Sequence, residues 1–346
     1  MYLSTLALIA LVCAAVHRAA AADLIVGNTE TRDVVRYDAE NGEYRGVFIP
    51  AGAGGLQTPN DFFLGPDGLL YLASGSNNAA PGQGVLRFDP RTGKFIDCFT
   101  KFPSGPNRFI QPYGAAFGPD GKLYVTSFRT DEILRFDGVT GEFIDVFAQG
   151  TGTADGLNGP NDLLFTPLGR LLVTTQGSVA ARDGSGKIAY RFPSQILDYD
   201  TGSGTHRVFA APGPRDNTDP PSGDSSLLGL VLASDGTGFL VTDYSNGLLH
   251  FAFGGELLGV TSTRIGANWV GNLTLHAGRV YVPVFDAKSL AGSILRLPDP
   301  ALGRPGSVTA SAMGTFNPPL KPWLTDALHL RRPVAVMILP TPEPGR

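Results

Sequence analysis

Pro59-Asn-Asp-Phe-Phe-Leu-Gly-Pro-Asp-Gly-Leu-Leu-Tyr71 recurs, with changes, as Pro112-Tyr-Gly-Ala-Ala-Phe-Gly-Pro-Asp-Gly-Lys-Leu-Tyr124 and as Pro160-Asn-Asp-Leu-Leu-Phe-Thr-Pro-Leu-Gly-Arg-Leu-Leu172. Each copy reads as a strand, a tight turn and a second strand: proline and glycine supply the turn, and the Phe, Leu and Tyr around it suit a packed sheet. After the first two copies come two further strands, Gly84-Val-Leu-Arg-Phe-Asp89 with Lys94-Phe-Ile-Asp-Cys-Phe99, and Ile133-Leu-Arg-Phe-Asp137 with Glu142-Phe-Ile-Asp-Val-Phe147. Four antiparallel strands in a unit of this length form one blade of a propeller, which hides its sheet edges by packing blades radially.

Weaker copies follow. Leu228 to Gly236 leads into Phe239 to Asp243 and Leu248 to Phe251, and Gly271 to Gly278 leads into Val280 to Val284 and Ser293 to Leu297. That makes five blades. Leu24 to Asn28, Val34 to Tyr37 and Tyr44 to Phe48 read as strands two, three and four of a sixth blade that lacks its first strand. Pro333 to Leu339 has the length and apolar content to supply it, so the two ends of the chain should close the ring. The expected fold is all-β, a six-bladed propeller of four-stranded blades, with an open sandwich of similar strands as the alternative.

The bulk properties agree. Of 346 residues, 42% are hydrophobic and 17% charged, and 45 Gly and 27 Pro make turns frequent. A formal charge of −4 removes the electrostatic case for nucleic acid or an anionic membrane. Met1 to Val16 is mostly apolar and is followed by Arg18 and Ala19 to Ala22, the layout of a secretory signal peptide over residues 1–22. The expected product is a secreted monomer, with a single propeller domain over residues 23–340, a tail over 341–346 and no membrane span after cleavage. An uncleaved anchor is the alternative, although the apolar run is short for a span. Cys13 lies in the signal and Cys98 is the lone thiol of the mature chain, so no internal disulfide is expected.

The G-P-D-G-x-L-Y and I-L-R-F-D-x-x-T-G-x-F-I-D signatures resemble NHL-repeat propellers. More distantly they resemble the superfamily of gluconolactonase, regucalcin, paraoxonase and strictosidine synthase, whose members are six-bladed. The resemblance covers nearly the whole mature chain and is specific for fold, since the repeated residues mostly serve turns and blade cores.

Loops entering the first strand and leaving the second of each blade should share one face around the central channel. The long segments Gln176 to Tyr190, Ala211 to Ser226 and Met313 to Arg332 all belong there, which suggests a working face. Asn60-Asp61 and Asn161-Asp162 stand at the channel end of two first strands. Converging carboxylate and amide oxygens suit Ca²⁺, and the resemblance implies a channel calcium with an Asn ligand at this place, while an Asx turn that starts the strand is the structural alternative. The superfamily's ligand Glu is not evident, and Tyr113-Gly114, Leu228-Gly229 and Val270-Gly271 occupy the matching places. Asp243 and Asp286, at the ends of second strands, are candidate substitutes.

Bound calcium would polarise a lactone or ester carbonyl, with Asp243 or His329 as candidate general base. His206, His250 and His276 are scattered, and nothing reproduces the three-histidine zinc set of amidating lyases. Tyr113, Arg129, Tyr244 and Trp323, with Phe128, Trp269, Arg331 and Arg332, form a candidate ligand surface, with apolar packing of those rings between blades as the equal alternative. Two readings result: a propeller that binds a small molecule, carbohydrate or protein on its channel face, or a calcium-dependent lactonase or esterase. Asn272-Leu-Thr274 is the one glycosylation sequon, and its place at a strand start argues for burial.

Overall fold

The computed structural model describes residues 22–77, 83–102, 109–211, 226–244, 247–261, 263, 268–300 and 321–340. The expected signal segment lies outside them except for Ala22. They form the expected all-β propeller of six blades with antiparallel strands running from the centre outward. The first blade contains Thr58–Leu64, Leu70–Gly75, Gly84–Phe88 and Phe95–Cys98, and the second Pro112–Phe117, Leu123–Ser127, Glu132–Phe136 and Phe143–Gln149. The third contains Pro160–Phe165, Leu171–Thr175, Gln195–Tyr199 and His206–Ala210, and the fourth Leu227–Leu232, Gly238–Asp243, Gly247–Ala252 and Leu257–Thr261. In the fifth, the first strand is broken into Asn268–Val270 and Thr274–His276, both paired with Arg279–Asp286, beyond which lie Gly292–Pro298 and Leu324–Thr325.

The sixth blade closes the ring. Pro333–Pro340 pairs antiparallel with Ala22–Asn28, with Leu24 opposite Ile338 and Gly27 opposite Ala335; Asp33–Asp38 and Tyr44–Ile49 complete the sheet. Asn28, fully buried, locks the joint. Its Nδ2 donates to the His329 carbonyl at 2.8 Å and to Asp33 at 3.0 Å, and its Oδ1 accepts from the Arg331 amide at 3.0 Å.

Burial follows position in the blade. Second strands such as Leu70–Gly75 are buried along their whole length, because neighbouring blades cover both faces. Fourth strands such as Phe95–Cys98 are largely exposed. Between the first two blades Tyr71 meets Phe99 at 5.2 Å and Phe117 at 5.3 Å, both edge to face, geometry that adds about 0.5–1.5 kcal/mol per pair beyond area burial.

The F-D-x-x-T-G signature is a turn with a mechanism. Asp89 Oδ1 accepts the amides of Arg91 and Thr92 and the Thr92 hydroxyl, while Gly93, at φ 68°, makes the left-handed step a side chain would resist. Asp137 repeats this with Val139 and Thr140, and Asp200 with Gly202 and Ser203. The amide hydrogen bonds hold all three carboxyls below the ordinary carboxylate range.

Candidate functional site at the channel mouth

Each innermost strand of the first four blades breaks register near its channel end, between Pro59 and Asp61, Pro112 and Ala115, Pro160 and Leu163, and Leu227 and Leu230. A bulge re-aims side chains and leaves backbone groups outside the ladder. Asn60-Asp61, Tyr113-Gly114, Asn161-Asp162 and Leu228-Gly229 all sit at these bulges, so the same local irregularity carries different chemistry in each blade.

The asparagines and aspartates tie each bulge to the next blade. Asn60 Nδ2 donates to the Pro112 carbonyl and Asn161 Nδ2 to the Leu227 carbonyl, each at 2.8 Å. Asp162 Oδ1 accepts from its neighbour Leu163 at 2.8 Å, and Oδ2 from Leu230 of the fourth blade at 2.9 Å. Asp61 accepts the amides of Phe62 and of Ala115 in the second blade, and the amide of Asn272 at 3.4 Å.

A threonine in the second strand completes the stitch. Thr126, Thr174 and Thr242 accept the amides of Gly114, Asp162 and Gly229, and the first two also donate into the next blade, to the carbonyls of Asn161 at 2.5 Å and Leu228 at 2.6 Å. Sequence reasoning missed these residues. The signal was available: Val-Thr recurs at the same place of three second strands, where an apolar side chain would otherwise be expected.

Asp61 and Tyr113 lie deep in the molecule yet keep some contact with solvent, which places them on the channel wall. Burial raises the Asp61 carboxyl well above the ordinary range, and the charge of Asp162 raises it further. Burial pushes Asp162 up to about 6 against the opposing amide bonds. The channel therefore holds two carboxyls that resist ionisation together.

An aromatic cluster, termed the cup, stands within electrostatic range of them, with its Phe285 fully buried. Tyr113 comes from the second blade, Tyr190 from a hairpin inserted in the third, Tyr244 from the fourth, Trp269 and Phe285 from the fifth and Arg332 from the start of the closing strand. The Tyr113 phenol is pushed up to about 12, chiefly by burial, and interacts electrostatically with Arg332, Tyr190, Asp162 and Asp61. Tyr244 stands still higher for the same reason and hydrogen-bonds Arg332. Its ring lies 4.9 Å from Trp269, which meets Phe285 edge to face at 5.9 Å.

The inserted hairpin, Ser178–Ala180 with Ile188–Tyr190, is held rigidly. Buried Asp131 accepts the amides of Gly159 at 2.8 Å and Ala180 at 2.7 Å. Arg129 spans from Gln111 Oε1 to the Gly186 carbonyl, each at 2.8 Å, and burial lowers its pKa.

Other residues singled out in the sequence lie elsewhere. Trp323 packs against Tyr281 at 5.8 Å, under Arg296 at 4.5 Å and beside Gly42 in a turn of the closing blade, outside the cup. His329 stacks on Tyr44 of the closing blade's outermost strand at 3.8 Å and bonds Asp326 at 2.8 Å, so it stands at the periphery rather than at the expected channel end. The cause is strand order: residues 324–325 pair along the outer edge of the fifth blade before the chain turns inward. Asp286 accepts the amides of Lys288 and Ser289 in its own turn. Asp243 is fully buried at the end of its strand, with the Ser226 amide 3.4 Å from Oδ1. Asn272 is 3% exposed.

No protein-family model matches the chain, and no curated protein is significantly similar to it. Solved structures do match. The nidogen/laminin complex supplies a chain of 17% identity with a TM-score of 0.56, covering 92% of this chain and 99% of that one. A protein assigned as a gluconolactonase is 17% identical with a TM-score of 0.49, covering 73% and 80%, and virginiamycin B lyase from Staphylococcus aureus is 14% identical with a TM-score of 0.46, covering 78% of each. At 17% identity the first of these speaks for architecture alone: this chain has the fold of the six-bladed NHL-like propellers.

Proposed function

We propose that the chain is a secreted binding propeller that holds a ligand or a partner's side chain in the cup at the channel mouth. The observation that carries this reading is the convergence of Tyr113, Tyr190, Tyr244 and Arg332, brought from separate blades to within electrostatic reach of one another. Large aromatic faces with a few convergent polar groups are the usual chemistry of a binding site. The Asn and Asp side chains beneath serve as stitches between bulged strands, which supports a scaffold role for them. An array of glycans and peptides, probed with the wild type, Trp269→Ala and Tyr113→Ala, tests the reading. Binders that fail on both variants are expected, and an array on which every binder tolerates both would sink it.

A calcium-dependent hydrolase is the second reading, favoured by one observation. Among the described residues the buried Oδ1 atoms of Asn161 and Asn272 have no hydrogen-bond partner, as oxygens awaiting a cation would. With Asp61 and Asp162 they make a hard-oxygen set that fits calcium in type, short of the six to eight ligands it takes. The bound ion would supply Lewis acidity, and the chain's own part would be to aim these oxygens from the bulges. Turnover of a lactone panel with calcium and loss with chelator would support this reading; identical traces with and without chelator would dismiss it.

A further inference from the structure

We propose that the signal segment is removed by hydrolysis of the Ala21–Ala22 bond, so that the mature chain begins at Ala22 and not at Asp23. This rests on the secretion in the reading above and is independent of what the cup binds.

The sequence leaves two bonds open. A signal peptidase takes small residues first and third before the bond it cuts. A cut after Ala21 presents Ala21 and Ala19, and a cut after Ala22 presents Ala22 and Ala20, whereas a cut after Ala20 would put Arg18 third. Water divides across the chosen bond, leaving a carboxylate on the leader and an ammonium on the mature chain.

The fold separates the two. Ala22 is the first residue of the strand Ala22–Asn28 that closes the ring, opposite Pro340. Its carbonyl accepts the Ala39 amide at 3.0 Å, and its methyl packs against the cluster of Leu24, Tyr37 and Ile338. A chain that began at Asp23 would lack that acceptor and leave the buried Ala39 amide short of its partner. It would also place an ammonium on Asp23, which is 9% exposed and whose carboxylate already pairs with Arg36 and Arg45. A charge there has to be desolvated within the sheet, while on half-buried Ala22 it stands at the sheet's margin.

Expression of the full chain in a secretory host, followed by N-terminal sequencing and intact mass of the purified product, tests the assignment. Ala22 is the expected first residue. Two substitutions in the leader, absent from the mature protein, tell the sites apart. Ala20→Arg spoils only the cut after Ala22 and should leave the Ala22 start unchanged. Ala19→Arg spoils only the cut after Ala21, so its product should keep the leader, or begin at Asp23 and melt about 2 °C lower. An Ala22 start that survives Ala19→Arg, or an Asp23 product that melts with the wild type, overturns the proposal. So does a wild type that begins at Asp23, which leaves secretion standing, whereas a wild type that keeps its leader overturns both.

Discussion

Replacing Asn161 by alanine separates the stitching role of the Asn-Asp pairs from a metal-binding one. Asn161 is fully buried, and its Nδ2 is 2.8 Å from the Leu227 carbonyl, on a strand that begins the next blade. The substitution removes that donor and leaves a buried carbonyl short of a partner, at a cost of about 1–3 kcal/mol. The Asn161 carbonyl still accepts from Thr126, so the backbone of the bulge should hold. Asn60→Ala, which removes the matching bond to Pro112, should cost a similar amount. In guanidinium denaturation both variants should shift the midpoint down with an unchanged slope, since slope follows the surface exposed on unfolding. A pure stitch gives the same loss in calcium and in chelator. A wild type that loses about 2 kcal/mol or more in chelator, together with variants that lose nothing further, would refute the stitching argument and return these residues to a metal.

The carboxyls of the channel give a pH dependence. Asp61 and Asp162 are raised in the folded state, so what they contribute is complete below the ordinary carboxylate range near pH 4 and is lost as pH rises through about 6. Asp89, Asp137 and Asp200 are lowered, and their contribution is lost as pH falls through about 4 and below. Stability should peak near pH 4 and fall by about 3 kcal/mol toward pH 7.5, and Asp162→Asn should flatten that fall; denaturation series at both pH values read it, and a wild type more stable at pH 7.5 contradicts it. Gly114→Ala would bring a Cβ to 2.7 Å from Asp162 Cα and 3.0 Å from the Asn161 carbonyl, parts of a backbone that cannot yield. A loss of about 1–3 kcal/mol in the same denaturation assay is expected, and a variant as stable as the wild type would show that the inner strands are less closely packed than described.

Much of the fold was legible because its determinants are local. The Pro-Asp-Gly turns and the Asp-x-x-Thr-Gly turns are specified within a few residues, and their spacing counts the blades. Closure was legible for a related reason: one blade lacked an inner strand, and Pro333 to Leu339 was the apolar segment left to fill it. The site was legible only in part. Tyr113 and Tyr244 stand within electrostatic range of Arg332, and Arg129 ties Gln111 to the inserted hairpin, whereas Trp323 and His329 lie toward the outer strands. In the sequence Tyr190 is only the end of a long loop, and nothing there places it within electrostatic range of Tyr113.

By itself, then, the sequence determined the repeat, the strand order within each blade and the partner that seals the ring, since turn chemistry and apolar periodicity act over short distances. Only the tertiary structure decided where the side chains at the channel go. A bulge of one or two residues turns Asn161 and Asp162 toward the next blade, and the curvature of the ring alone brings Tyr113, Tyr244 and Arg332, far apart along the chain, into one cup.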